Sequence, residues 1–182
     1  MGKLFFFLLF IPAVSSAQVN LYATVSGDLY VPQNVKLTGY GPEASANAIV
    51  TDNLDLGVSV SAIKYSFLNK PYIPISGKIS LFPAQSTETM LIPFLTLEPG
   101  FGLYSDVVKQ PYNTTAKLKG DFTFMSCIGV KLRAEERIAP YVAAGFSHVA
   151  YKRFVYNAAG NIQGEKSIGN ANRVVLKLGL FL

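Results

Sequence analysis

Hydrophobic and polar residues alternate with period two along most of the chain, in segments of about ten residues separated by turn-forming residues. Eight such segments can be read, at 19–31, 39–51, 55–67, 72–83, 91–106, 118–133, 138–153 and 173–182. Beyond the first 17 residues no stretch shows a helical period. Pro42, Gly77 and Pro99 fall inside segments and predict bulges or bends. The last segment, "NRVVLKLGLFL", places Val174, Leu176, Leu178, Leu180 and Leu182 on one face and Lys177 and Gly179 on the other.

The faces of other segments follow from the same rule. The sixth sets Leu118, Phe122, Phe124, Ile128, Val130 and Leu132 against Lys119, Asp121, Thr123, Cys127, Gly129 and Lys131. The fourth sets Ile73, Ile75, Ile79 and Leu81 against Ser76, Lys78 and Ser80. The first sets Leu21, Ala23, Val25 and Leu29 against Asn20, Thr24, Ser26 and Asp28. In the seventh, Tyr141 and Tyr151 share a face with Ala143, Gly145 and Val149. Ten residues at roughly 3.4 Å each, tilted about 40°, cover about 26 Å, the height of a membrane-facing apolar band with aromatic girdles. Tyr141 and Tyr151 are therefore expected to form such a girdle.

The polar faces carry Asp28, Glu43, Lys78, Glu98, Lys119, Asp121, Lys131, Lys152 and Lys177, in near balance of sign. A charged row aimed into a dry soluble core would be costly. Inside a narrow barrel the same side chains can pair and hold trapped water, and eight strands enclose a space that side chains largely fill. The expectation is an all-β, eight-stranded antiparallel up-and-down transmembrane β-barrel with a plugged, ion-paired lumen. A soluble sandwich would alternate in the same way and stays open as an alternative. The fifth segment, "IPFLTLEPGFGLY", reads like a degenerate copy of the seventh, "APYVAAGFSHVAY". Strict alternation puts Phe94 and Glu98 inside but Tyr141 outside, so the register of the fifth strand is left open.

The connections are unequal. Those at 51–55, 83–90 and 133–137 are short or compact, whereas "DVVKQPYNTTAK" and "VYNAAGNIQGEKSIGNAN" are long and polar. That asymmetry fits short periplasmic turns and longer external loops. The opening "MGKLFFFLLFIPAVSSAQ" has a basic residue at Lys3, an apolar run from Leu4 to Ile11, and small residues at Ser15 and Ala17. It reads as a secretory signal peptide over 1–17, leaving a barrel domain over 18–182.

Composition narrows the field further. The chain has 182 residues, 50% hydrophobic and 15% charged, too apolar for a disordered chain. Its net charge of +5 is scattered, with no nucleic-acid-binding signature. The single cysteine, Cys127, excludes a disulfide-stapled domain.

With its tight turn leading into "TDNLDLGVSVSAIKYSF", its strand starts at Pro93-Phe94 and Pro140-Tyr141, and its alternating last strand, the chain resembles the small eight-stranded, porin-like outer-membrane β-barrel proteins of the Bacteroidetes type. The resemblance covers all of 18–182. It implies residence in the outer membrane of a Gram-negative bacterium, contact with outer-membrane lipid and lipopolysaccharide, and a last strand read by the barrel-assembly machinery. In this chain that signal would lie in Leu176, Leu178, Leu180, Phe181 and Leu182, although the final residue is Leu where the family usually ends on an aromatic.

Signs of chemistry are few. His148 is the only histidine, and its neighbour Ser147 points to the opposite face of a strand. One His and one Cys far apart make no transition-metal site. "NTT" at 113–115 has the form of a glycosylation acceptor and fits an exposed loop. No cofactor is expected. Three functions stay in play: a monomeric structural or interaction barrel acting through its loops, a lipid-modifying barrel enzyme centred on His148, and a secreted lipocalin-like binding barrel. Lys109, Lys117 and Lys166 in the long connections are candidates to meet lipopolysaccharide headgroups.

Overall fold

A computed structural model describes residues 20–32, 38–66, 68–83, 90–109, 115–133, 138–156 and 162–182. The segment read as a signal peptide lies outside them. Among the described residues, ten strands form one antiparallel sheet: β1 (Leu21–Pro32), β2 (Gly39–Thr51), β3 (Leu54–Ser61), β4 (Lys64–Tyr65), β5 (Ile73–Leu81), β6 (Leu91–Leu103), β7 (Ser105–Lys109), β8 (Thr115–Leu132), β9 (Ala139–Tyr156) and β10 (Ile162–Phe181). Pairing follows chain order around the sheet, and β1 also pairs with β10, so the sheet closes on itself. Two strands are broken. β3 and β4 both lie along β2, and β6 and β7 both lie along β8. Counting each broken pair once gives an eight-stranded, up-and-down, closed barrel. Closure leaves no open edge, which is the condition for a sheet to stand in lipid.

The breaks fall at Ala62–Ile63 and Tyr104, where backbone bonds such as Ala62 N–H to Pro42 O (3.0 Å) and Gly120 N–H to Tyr104 O (3.0 Å) keep the ladder joined. Register shifts occur at Gly120/Thr123 on β8 and Ile168/Ala171 on β10. In β6 the alternation runs unbroken from Leu91 to Leu103, with Phe94 and Glu98 both inward. The open register of the fifth strand is thereby settled, with Glu98 opposite Met125. The two long connections are shorter than their composition suggests. Residues 105–109 pair with 115–119, and β10 starts at Ile162 opposite Tyr156, so both are ladders carried past the barrel rim.

The sidedness is the reverse of a soluble protein's. Leu178 (70% exposed), Ile128 (68%), Val58 (62%) and Val142 (53%) point outward, as do Leu176 and Leu180. Inward positions hold Ser, Thr, Asn, acids, lysines and aromatics. An apolar exterior and a polar interior rule out the lipocalin-like and sandwich alternatives, which need the opposite arrangement. On β1 the outward apolar positions run from Leu21 to Val31, ten residue steps or about 26 Å along a tilted strand. This is the thickness of a membrane-facing band, and it defines a transmembrane barrel.

Candidate functional site

The interior is built in three layers. The middle layer is charged. Lys177 on β10 sits between Val175 and Gly179, directly across the seam from Asp28 of β1. Its Nζ lies 2.7 Å from Glu43 Oε2, 3.2 Å from Glu98 Oε1 and 3.6 Å from Asp28 Oδ2. Glu98 comes from β6 on the far wall, so one lysine spans the lumen. Lys78 of β5 adds contacts to Glu43 (3.5 Å) and Glu98 (3.8 Å). Hydroxyls fill the remaining acceptor sites. Ser26 donates to Asp28 (2.7 Å), Ser59 to Glu98 (3.1 Å) and Ser61 to Glu43 (3.2 Å). Burying ions is tolerated only with this density of partners.

Aromatic layers seal both ends. At the turn end, the rings of Phe94, Tyr141 and Phe181 pack edge to face with centroids 5.1–5.9 Å apart. The Lys131 ammonium sits over Phe82 (4.4 Å) and Phe181 (4.7 Å). Beside it, Tyr22 donates to Asp55 at 2.6 Å. At the loop end, Tyr30, Tyr65, Tyr72, Tyr104 and Tyr151 cluster with centroids 5.6–6.4 Å apart, and the Arg173 guanidinium stacks 4.1 Å from the Tyr65 ring. Tyr72 fits because Gly102 faces it. A Cβ there would coincide with the Tyr72 ring.

Between the middle and turn-end layers little space remains. Between Lys78, Glu98, Tyr141 and Phe181 lies a cavity of about 10 Å³, room for one water. Among the described residues, the buried ionisable groups of the lumen are Asp28, Glu43, Asp55 and Glu98 against Lys78, Lys177 and Arg173, with the half-buried Lys131 beside them. Among the described residues no group of His, Cys, Asp and Glu is placed to hold a metal.

The structure thus brings together Asp28, Glu43, Lys78, Glu98 and Lys177 from the set read in the sequence. Lys131 faces inward but belongs to the turn-end layer. Lys119 and Asp121 need correction. The shift at Gly120/Thr123 inverts the alternation, so that Gly120 faces Tyr151 in the lumen while Lys119 and its cross-strand partner Lys152 face out. Asp121 pairs with Lys152 at 3.4 Å on that outer surface. Tyr141 and Tyr151, expected in a lipid-facing girdle, are each 5% exposed and inside. They share their face with buried Ser147, a polar signal that places that face inward, while the alternate positions Val142, Ala144 and Phe146 meet lipid. The exposed aromatics among the described residues are instead Tyr40, Phe101, Phe122 and Phe146, toward the loop end, with Phe101 and Phe122 edge to face at 6.2 Å.

On the last strand, Leu176, Leu178, Leu180 and Leu182 face out, whereas Phe181 turns into the turn-end aromatic layer. His148 sits on the outer face of β9, where its Nδ1 is 2.8 Å from Asn172 Oδ1. Ser147 is buried on the inner face.

A closed eight-stranded barrel, apolar outside and ion-paired inside, is a transmembrane β-barrel of the outer-membrane type. No protein-family model matches the chain, and no curated protein sequence matches it. Solved structures do. Neisserial surface protein A is 13% identical over 89% of this chain and 94% of its own, with a TM-score of 0.55. Outer membrane protein W of E. coli is 8% identical over 91% and 99%, with a TM-score of 0.53. A major outer membrane protein from Thermus thermophilus is 10% identical over 89% and 98%, with a TM-score of 0.51. At such identities the likeness is one of fold. It does not extend to the narrower Bacteroidetes attribution.

Proposed function

We propose that the protein is a non-catalytic structural barrel of the outer membrane that acts through its outer surface and loops in adhesion or envelope integrity. The observation that carries this reading is the filled lumen. Among the described residues, the Lys177–Glu43–Glu98–Asp28 cluster, capped by aromatic layers, leaves a void of only about 10 Å³ at the middle of the barrel. Interactions then fall to the outside. The enzyme alternative rests on His148, whose ring bonds the amide of Asn172 on the outer face while Ser147 points the other way. A general base needs its nucleophile within reach, and neither neighbour supplies one.

We propose further that the barrel is a monomer and that β10, with its outward leucines, is the segment read by the assembly machinery. Cell fractionation with an unboiled gel tests the main reading. The protein should sediment with the outer membrane and change mobility on boiling. Soluble recovery from the periplasm would refute it.

A further inference from the structure

We propose that the outer face of β8 and β9, beyond the apolar band, is a binding site for a phosphate-bearing lipid headgroup, built from Lys117, Lys119 and Lys152. The proposal rests on the outer-membrane reading above. Lys119 and Lys152 lie directly opposite each other on neighbouring strands and face the same way. Like charges in that position repel. Asp121, 3.4 Å from Lys152, offsets one of the two. Lys117 lies one step further out on the same face, opposite Phe154. Among the residues whose side chains are described, the patch carries three ammoniums and one carboxylate, an excess of two positive charges that an anion would relieve.

Height selects the anion. Phe122 on β8 and Phe101 and Leu103 on β6 are the last exposed large apolar side chains described on this outer wall below the patch. Aromatic side chains of this kind mark the boundary of the hydrocarbon band, with headgroups immediately beyond. The patch faces sideways, toward lipid rather than toward the lumen. The Lys119 ammonium lies 5.2 Å from the centre of the Phe154 ring, which holds it at the wall. A phosphate on a membrane lipid has the charge and the depth to sit against Lys119 and Lys152 together. A soluble anion matches the charge alone.

The test uses the folded full-length barrel in neutral detergent. Retention of lipid A with both phosphates is compared with that of its dephosphorylated form by native mass spectrometry. Near a membrane surface each ammonium contributes enough that the triple variant Lys117→Gln, Lys119→Gln, Lys152→Gln should bind lipid A about 100-fold more weakly at low salt. Dephosphorylated lipid should bind wild type as weakly. Asp121→Asn removes the opposing charge and should tighten binding about fivefold. It serves as the independent check if the triple variant fails to fold. Equal retention by wild type and variants would overturn the site, as would displacement of the lipid by inorganic phosphate at matched phosphate concentration. If the protein sediments with the outer membrane and the variants bind normally, this site falls and the barrel reading stands. Soluble recovery of the wild type would remove both.

Discussion

The ammonium of Lys177 stands 2.7 Å from the Glu43 carboxylate, although 134 residues separate them and β1 lies between their strands. The contact therefore exists only in the closed barrel. It also fixes the seam. A slip of β10 by one residue would send Lys177 into lipid and bring Leu176 or Leu178 into the charged layer. A lysine on the lipid face near the membrane midplane costs about 2–4 kcal/mol. The pair thus selects the register in which Asp28 lies opposite Lys177.

Removing Lys177 should accordingly be severe. Lys177→Met leaves Asp28, Glu43 and Glu98 with Lys78 as the remaining ammonium of the middle layer. Stripping one partner from a buried ion cluster costs about 3–5 kcal/mol. The double variant Lys177→Met, Glu43→Gln should recover part of that loss, because it also removes a stranded carboxylate. Urea unfolding in detergent, followed by unboiled gel mobility, reads both. Equal losses in the single and double variants would contradict the account.

How much of this was written in the sequence depends on the residue. Lys177 and Asp28 were legible because their neighbours Leu176, Leu178 and Leu29 are large and aliphatic, so each strand had one plainly greasy face. Tyr141 and Tyr151 were not, because both faces of β9 are largely apolar and each carries polar residues, Ser147 on one and His148 and Lys152 on the other. A narrow lumen takes aromatic filler, so an apolar face does not by itself mean lipid. Lys119 was misplaced for a different reason. Period-two reading carries no information about an extra residue, and the shift at Gly120/Thr123 reverses everything beyond it. The loop-end cluster of Tyr30, Tyr65, Tyr72 and Tyr104 was invisible, since it gathers residues from distant parts of the chain that only closure brings together.

The inward placement of Tyr141 is open to a direct optical check. The chain has no tryptophan, so one introduced residue reports alone. Tyr141→Trp should keep its fluorescence in bilayers whose acyl chains are brominated, because position 141 is sealed from lipid. Leu178→Trp, on the most exposed stretch of β10, should be strongly quenched. Strong quenching at 141 would restore the girdle reading and undo the turn-end layer.

The fit of Tyr72 over Gly102 makes a second structural prediction. Gly102→Ala puts a methyl group into the Tyr72 ring, and overpacking of this kind costs about 1–3 kcal/mol. Tyr72→Leu should relieve most of the clash. In a double-mutant cycle the two changes should therefore be coupled by about 1 kcal/mol or more, as contacting residues are. Simple additivity in urea unfolding would show that the ring does not lie on that glycine.

The layered lumen also predicts electrical silence. Purified barrel in a planar bilayer should give no steady channels, because an ion would have to part the Phe94–Tyr141–Phe181 packing, the Lys177 cluster and the tyrosine layer in turn. Opening one end is not enough. Tyr72→Ala with Tyr151→Ala should stay silent, since the two lower layers remain. Adding Phe181→Ala and Glu98→Ala thins all three and should bring conductance. Large steady channels from the wild type would mean that the interior is not packed as described, and conductance from the tyrosine variant alone would mean that the loop-end layer is the whole seal.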